Sequence, residues 1–328
     1  MSLNETREPL LKIRGLTKNF SIKSKKLGQK PSVLHALTDV SLDIYEGETL
    51  GIIGESGCGK STLGRTIVQL HKATSGTVEF QGKNIFDLKG QELIDIKKNI
   101  QMVFQDPYSS LDPRITCENL IGEPLKVHKI ITDPKERQQR VLSLLQEVGL
   151  DIQHMNRFPH EFSGGQRQRI NVARALALNP RIIVCDEPVS ALDVSIQAQV
   201  LNLFNRLQKQ HNLTYIFISH DLGVIKHISD RIAIMYLGRI VEICEAAQIY
   251  ENPLHPYTKA LLSAIPPESP FDKKERIILT GEIPSPIGDQ IGCPLAGRCP
   301  NCMGRCKTEC PSLKETGAGH QVACFLYE

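Results

Sequence analysis

Three short segments of the chain carry residue types that do chemistry in combination. Gly54-Glu55-Ser56-Gly57-Cys58-Gly59-Lys60-Ser61 matches the pattern G-x-x-x-x-G-K-[ST] without a mismatch. It follows the apolar run Leu50-Gly51-Ile52-Ile53 and precedes Thr62 through Val68, so a strand feeds a glycine-rich turn that opens a helix. A Cβ at Gly54, Gly57 or Gly59 would obstruct the turn or the approach of backbone N–H groups to phosphate oxygens. The helix N-terminus adds donors and partial positive charge, and Lys60 adds a full charge for the β- and γ-phosphates. Ser61 suits Mg²⁺, which keeps several waters and takes few protein ligands. Glu55, Ser56, Cys58 and Thr62 complete the expected nucleotide-binding set, with Cys58 at a variable position of the pattern and read as a small filler.

Asp186 and Glu187 follow four apolar residues and precede Pro188, which places them at the C-terminal end of a buried strand, where open α/β sheets bind ligands. Asp186 is expected in the Mg²⁺ shell, and Glu187 is expected to orient or deprotonate an attacking water. A further strand, Thr214 through Ser219, ends in His220-Asp221, where an imidazole can report on the γ-phosphate. Ser163-Gly164-Gly165 precedes a helix-forming run, Gln166 through Leu178, and makes a second anion-binding helix N-terminus.

These residues carry a family resemblance. The chain resembles the nucleotide-binding subunit of an ABC transporter, with all landmarks in the family's order over roughly residues 10 to 245. Phe162 through Arg169 resembles the signature motif, with Phe where Leu is commoner. Gln105 resembles the Q-loop glutamine, a Mg²⁺ ligand that senses the membrane partner; Asp193 resembles the D-loop aspartate, and His220 the switch histidine. The resemblance implies catalytic roles for Glu187, His220, Lys60 and Gln105, and a Mg²⁺ shell of Ser61, Gln105 and Asp186. It also implies a dimer in which Ser163, Gly164, Gly165 and Gln166 of one subunit close on ATP held by the other. An aromatic residue before the P-loop stacks on adenine in this family. Phe20 resembles it, with His35 as the alternative.

The elements that must position these residues are α/β. Val40 through Ile44 alternates at period two, and Val78 to Phe80 and Ile100 to Phe104 are further strand candidates. Val141, Leu144, Leu145 and Val148 recur at helical spacing, as do Val200, Leu203, Phe204 and Leu207. The expected architecture is an ABC-type P-loop ATPase domain, with a RecA-like core, an antiparallel β subdomain and a helical signature subdomain. The ATPase domain spans residues 1–250, with the helical subdomain at about 106–175, and a small Cys- and Pro-rich extension spans 251–328.

Composition sets limits. Lys+Arg number 39 against 36 Asp+Glu in 328 residues, a net +3 that is too balanced for a dedicated nucleic-acid binder. The basic stretch at residues 23–30 reads as a solvated hairpin. No run approaches the roughly 18–20 apolar residues of a membrane-spanning helix, and Met1 through Glu5 does not begin a signal peptide. The expectation is a peripheral protein at the cytoplasmic face of the membrane, reaching it through partners.

Tyr108 through Arg114, Arg157 through Glu161, and Asn252-Pro253-Leu254-His255-Pro256-Tyr257-Thr258 resemble the dipeptide and oligopeptide importers. That resemblance implies a peptide importer powered with a second ABC ATPase subunit, two permease subunits and an external binding protein. Substrates in the group also include nickel chelates and haem, so a non-peptide cargo is one alternative. A soluble ABC ATPase of nucleic-acid repair or translation is another. It is disfavoured because the segment from P-loop to signature has the size of a helical subdomain and only one cassette is present.

Ten of the nineteen prolines fall after residue 250, the mark of a loop-rich extension. Six of the ten cysteines lie in its last part: Cys293, Cys299, Cys302, Cys306, Cys310 and Cys324. In a reducing compartment clustered thiols favour metal over disulfides. Cys293, Cys299, Cys306 and Cys324 match the family's cysteine pattern, with Cys299, Cys302, Cys306 and Cys310 as a rival local ligand set, and four thiolates suit a [4Fe–4S] cluster or Zn²⁺, with reduced thiols as the third reading. Cys117, Cys185 and Cys244 read as buried single thiols.

Overall fold

The computed structural model describes residues 7–22, 31–265, 275–288, 290–317 and 319–328; the basic stretch 23–30 and Met1 through Glu5 lie outside them. In chain order the elements begin with β1 (Leu11–Ile22), β2 (Ser32–Ile44), β3 (Thr49–Ile53), α1 (Lys60–Ile67), β4 (Ser75–Phe80), β5 (Lys83–Asn84), α2 (Gly90–Asn99) and β6 (Ile100–Val103). They continue with α3 (Cys117–Val127), α4 (Pro134–Glu147), α5 (Gly164–Leu176), β7 (Ile182–Asp186), α6 (Val194–His211), β8 (Thr214–Ser219) and α7 (Leu222–Ile228). The last are β9 (Arg231–Tyr236), β10 (Arg239–Glu245), α8 (Ala246–Glu251), α9 (Pro256–Ser263), β11 (Lys314–Gly317) and β12 (His320–Val322). Contacts divide the chain into two units, one of Met1–Tyr45, Leu50–Lys83 and His220–Glu328, the other of Glu46–Thr49 and Asn84–Ser219.

In the first unit β1 pairs antiparallel with both β2 and β4. The alternation read from Val40 to Ile44 holds: Val40, Leu42 and Ile44 are buried, opposite Leu16, Ile13 and Leu11 of β1. β3 runs parallel to β9, which turns back on β10 through Leu237 and Gly238. Both turn residues have positive φ, 43° and 77°, the geometry of a two-residue hairpin whose twist matches its strands. β12 then pairs with β10, and β11 with β12, so the C-terminal region continues this sheet.

One buried carboxylate ties the C-terminal region to β10. Glu242 is fully buried and accepts from Leu254 N at 2.7 Å, His255 N at 3.0 Å and His320 Nε2 at 2.7 Å. Burial alone would raise its pKa, but these donors outweigh burial and hold it below the usual carboxylate range.

In the second unit β6, β7 and β8 are parallel, and β7 and β8 are buried at every position, as strands covered on both faces must be. Phe204 of α6 meets the ring edges of Tyr215 and Phe217 at centroid distances of 5.4 and 5.6 Å. The stripes read from the sequence face the core, with Val141, Leu144 and Leu145 of α4 and Val200, Leu203, Phe204 and Leu207 of α6 buried. Asp133 caps α4 by accepting from Glu136 N at 2.8 Å, and Pro134 supplies the first helical residue. β6 stops at Val103, one residue short of the expected strand end, where its pairing with β7 ends at Val103 and Cys185, and Phe104 is exposed.

Candidate functional site

The first unit contains the phosphate-loop sequence in a shape that only its glycines allow. Gly57 and Gly59 have φ of 78° and 109°, in the left-handed region. A Cβ on Gly54 would lie 2.1 Å from the carbonyl oxygen of Met235, and one on Gly59 2.4 Å from that of Ala36. The loop therefore rests on the end of β9 and on β2, and Gly238 N donates to Cys58 O at 2.8 Å from the β9–β10 turn. Lys60 is buried at the start of α1, where its Nζ donates to Gly54 O at 2.6 Å and Glu55 O at 3.1 Å. Cys58 is buried, and desolvation raises its thiol pKa, which fits a filler and not a nucleophile. Ser61 and Thr62 follow Lys60 in the first turn of α1.

Phe20 is half-buried on β1, with its ring edge-on to His71 at 5.4 Å and Lys18 Nζ 4.6 Å from the ring centre. His35, its alternative, lies on β2 with Nδ1 3.1 Å from Asn19 Oδ1. His220 is exposed directly after β8, and Asp221 caps α7 by accepting from Gly223 N at 2.7 Å.

The second unit places Asp186 at the last position of β7, fully buried, and Glu187 just beyond it. Glu187 has φ 47°, a conformation that costs a non-glycine residue on the order of 1 kcal/mol or more. Glu187 N donates to Ile218 O at 3.0 Å and Ser190 Oγ donates to Glu187 O at 3.0 Å, so the neighbouring strand and the following turn hold it there. Gln105 Nε2 donates to Glu187 Oε2 at 2.9 Å. Two residues 82 apart in sequence are thus brought together after the adjacent strands β6 and β7.

Ser163 is the N-cap of α5 in a reciprocal box, its Oγ accepting from Gln166 N at 3.3 Å and Gln166 Oε1 accepting from Ser163 N at 3.0 Å. A Cβ on Gly165 would come within 2.5 Å of Ile196 Cγ2, so this helix start packs closely on the start of α6. Asp193 occupies the N-cap position of α6 without a side-chain capping bond and is exposed, as is Ser163.

Residues 37–190 match the model of the ABC transporter family, and residues 241–306 match that of the oligopeptide/dipeptide transporter C-terminal region. The chain is 51% identical to the oligopeptide transport ATP-binding protein AppF of Bacillus subtilis (strain 168), over 98% of each chain. It belongs to the ATP-binding subunits of oligopeptide/dipeptide ABC transporters. Identity to the Escherichia coli (strain K12) oligopeptide transport ATP-binding protein OppF is 49% over 99% of this chain and 98% of that one. The dipeptide transport ATP-binding protein DppF of Haemophilus influenzae is 48% identical over 98% of each. Among solved structures, a dimer of the ATP-binding cassette MJ0796 in a post-hydrolysis state with ADP and Pi superposes with a TM-score of 0.63 at 33% identity, covering 72% of this chain and 98% of that one. The ABC cassette fold expected from the motifs is therefore the fold found.

For this ABC subunit the cysteine expectation needs correction. Cys293, Cys299, Cys306 and Cys324 do line one cavity, but its volume is about 10 Å³, close to the least that admits a single water. Among the described residues no three Cys, His, Asp or Glu side chains are arranged to hold a metal ion. The residues present thus do not fit a [4Fe–4S] cluster or Zn²⁺ as they stand. The physical reason is that the segment closes on itself by other means. Cys293 N donates to Cys306 O at 2.8 Å, while Arg305 pairs with Glu309 at 2.7 Å and Glu328 at 2.9 Å, and Lys314 with Glu328 at 3.0 Å. Burial pushes the Cys293 thiol up to about 11 and raises Cys299 and Cys324. Cys302 and Cys310 lie outside that cavity and turn toward the carbonyls of Met303 and Pro311. Cys117, Cys185 and Cys244 are fully buried single thiols, as read from the sequence.

Sequence reasoning missed three residues around the phosphate loop: Tyr236, Tyr257 and Arg298. Tyr257 OH accepts from Glu55 N at 2.9 Å, and Arg298 reaches the Glu55 carboxylate. The segment Asn252 through Thr258 stood out as a family feature, but nothing local tied its tyrosine to a loop some 200 residues earlier.

Proposed function

We propose that this chain is the ATP-hydrolysing subunit of a peptide importer, acting in a dimer of nucleotide-binding subunits on the cytoplasmic side of two permease subunits fed by an external binding protein. The observation that carries the reading is similarity over nearly the whole chain, cassette and C-terminal region together, to proteins named for oligopeptide and dipeptide transport. A soluble repair or translation ATPase, or an importer of nickel chelates or haem, draws no support from these relatives.

In this reading backbone N–H groups of the loop other than that of Glu55, with Lys60, take the phosphates of ATP, and Phe20 or His35 meets the adenine. The Lys18 ammonium over the Phe20 ring would have to yield to a base stacked on that face. Ser61, Gln105 and Asp186 offer a hydroxyl, an amide oxygen and a carboxylate, the hard oxygen donors that Mg²⁺ prefers, and the ion would neutralise charge on the phosphates. Glu187 takes the proton of the attacking water, and His220 senses the γ-phosphate. Ser163, Gly164, Gly165 and Gln166 serve the partner's ATP, with Asp193 beside the dimer seam. The exposure of Ser163 at the start of α5 and of Asp193 at the start of α6 supports that assignment.

The proposed organisation is an ATPase domain to about residue 250, a helical subdomain at about 106–175 containing α3, α4 and most of α5, and the extension 251–328. Phe104, Tyr108, Val127 and Phe158 are exposed apolar side chains from Phe104 onward and suit a grip on a permease subunit. Among the described residues no helix is long and apolar enough to cross a membrane. A heterodimer with a sister ATPase is preferred to a homodimer.

The test is affinity capture of the tagged chain from detergent-solubilised native membranes, with mass spectrometry of what accompanies it. Two polytopic subunits and a second ATPase are expected. Recovery alone, or with nucleic-acid enzymes, would remove the importer reading.

A further inference from the structure

The phosphate loop contains an acid, Glu55, in a turn whose other features gather negative charge. Left to itself, a carboxylate there would oppose the field of Lys60 and the helix N-terminus. Arg298 answers it. Its Nη1 lies 3.1 Å from Glu55 Oε2 and 3.4 Å from Oε1, and its Nη2 lies 3.4 Å from Oε1. The guanidinium is only 10% exposed and donates from Nη1 to Tyr236 OH at 3.2 Å. A fork held in this way keeps its geometry better than a flexible surface pair, which is why such pairs matter where most surface pairs do not.

The backbone of Glu55 is held as well. Its N–H donates to Tyr257 OH, and the fully buried Tyr257 ring packs on Tyr236 with centroids 4.6 Å apart. Arg298 and Tyr257 both come from the C-terminal region, so side chain and main chain of one loop residue are gripped from there.

The grip matters because of what Lys60 does in this structure. Its ammonium clasps the carbonyls of Gly54 and Glu55. Once it turns to phosphate, those carbonyls lose that partner, and Tyr257 and Arg298 remain to hold the loop's shape. We propose that Arg298 and Tyr257 are positioning residues for the phosphate loop, setting its affinity for Mg-ATP through Glu55. The proposal rests on the reading of this loop as the ATP site. Neither residue is assigned a phosphate contact; Tyr257 fixes the loop's main chain at Glu55, and Arg298 holds and neutralises its one acid.

The experiment measures Mg-ATP affinity of the full chain by displacement of trinitrophenyl-ATP, alongside the thermal midpoint, for Arg298→Ala, Arg298→Lys, Tyr257→Phe and Arg305→Ala. Arg305 pins the same C-terminal region to Glu309 and Glu328 and stands over the Phe325 ring, so its loss reports on packing of that region alone. Arg298→Ala and Tyr257→Phe should each weaken Mg-ATP binding about tenfold, which is about 1.4 kcal/mol. Arg298→Lys should fall between, since a lysine keeps the charge and loses the fork. Arg305→Ala should lower the midpoint and leave affinity unchanged. Wild-type affinity in Arg298→Ala and Tyr257→Phe would overturn the proposal, as would an equal loss in Arg305→Ala. Lys60→Ala separates the two levels: if it binds Mg-ATP as tightly as wild type, the ATP-site reading fails and this inference goes with it.

Discussion

Gln105 Nε2 donates to Glu187 Oε2 at 2.9 Å, joining the residue that follows β6 by two positions to the residue directly after β7. The amide nitrogen occupies one carboxylate oxygen and leaves the amide's own oxygen for another partner. A displacement of Gln105 would therefore change what the proposed base carries on Oε2.

Glu187→Gln keeps the shape and removes the basicity. ATP turnover should fall by about 10²–10⁴, the usual contribution of a general base. ATP-bound dimers should accumulate on size-exclusion chromatography in the presence of Mg-ATP. Turnover equal to wild type in a phosphate-release assay would reassign the base.

Gly59→Ala places a methyl 2.4 Å from the carbonyl oxygen of Ala36 at a backbone φ of 109°. The obstacle is main chain and cannot rotate away, so the loop must deform. Nucleotide binding should be lost, and the thermal midpoint should drop with it. Gly57→Ala is the informative contrast. Its Cβ meets nothing within 4 Å, and only its φ of 78° resists the change, so a smaller loss is expected.

His255 is 2% exposed, accepts from Tyr257 N through Nδ1, and has its pKa lowered by burial from 6.5 to about 4. Between those values the unfolded chain binds the proton and the folded chain does not, so stability rises with pH across that window and is lost as pH falls through it. The full effect is roughly 3 kcal/mol. His255→Asn keeps an N-cap acceptor without a titrating ring. Denaturant midpoints at pH 7 and pH 4.5 should differ widely for wild type, the pH 4.5 value being the lower, and differ less for the variant; identical pH profiles would show that His255 does not control the slope.

Glu242→Ala strands Leu254 N, His255 N and the His320 ring in a buried setting. Breaking one side of such a pair typically costs about 3–5 kcal/mol. The loss should appear first as proteolytic cleavage after residue 250, with the P-loop region cut later. Uniform protection along the chain would contradict this account of how the C-terminal region is attached.

Much of the molecule was legible because its signals are local. β8 spans the six residues read as a strand, α5 starts at the glycines read as a helix N-terminus, and the stripes of α4 and α6 face inward. What stayed hidden depends on distance in sequence. Arg298 and Glu55 lie 243 residues apart, and no period or turn signal links them. The positive φ of Glu187 was equally invisible, because an acid carries no backbone signature of the kind glycine does. The cysteines mislead for the opposite reason. Their spacing is a strong pattern, yet the space left among the four sulfurs is set by the backbone and ion pairs around them.

The pairing of β12 with β10 has a consequence for biosynthesis. β10 has β9 on one side, and its other rim of N–H and C=O groups is closed by His320–Val322, with Glu242 and Val322 as register partners. While the ribosome is still making the residues in between, that rim is an open template for strands of neighbouring chains. A truncation before His320 would make this exposure permanent, turning the loss of two paired positions into a hazard of association during synthesis.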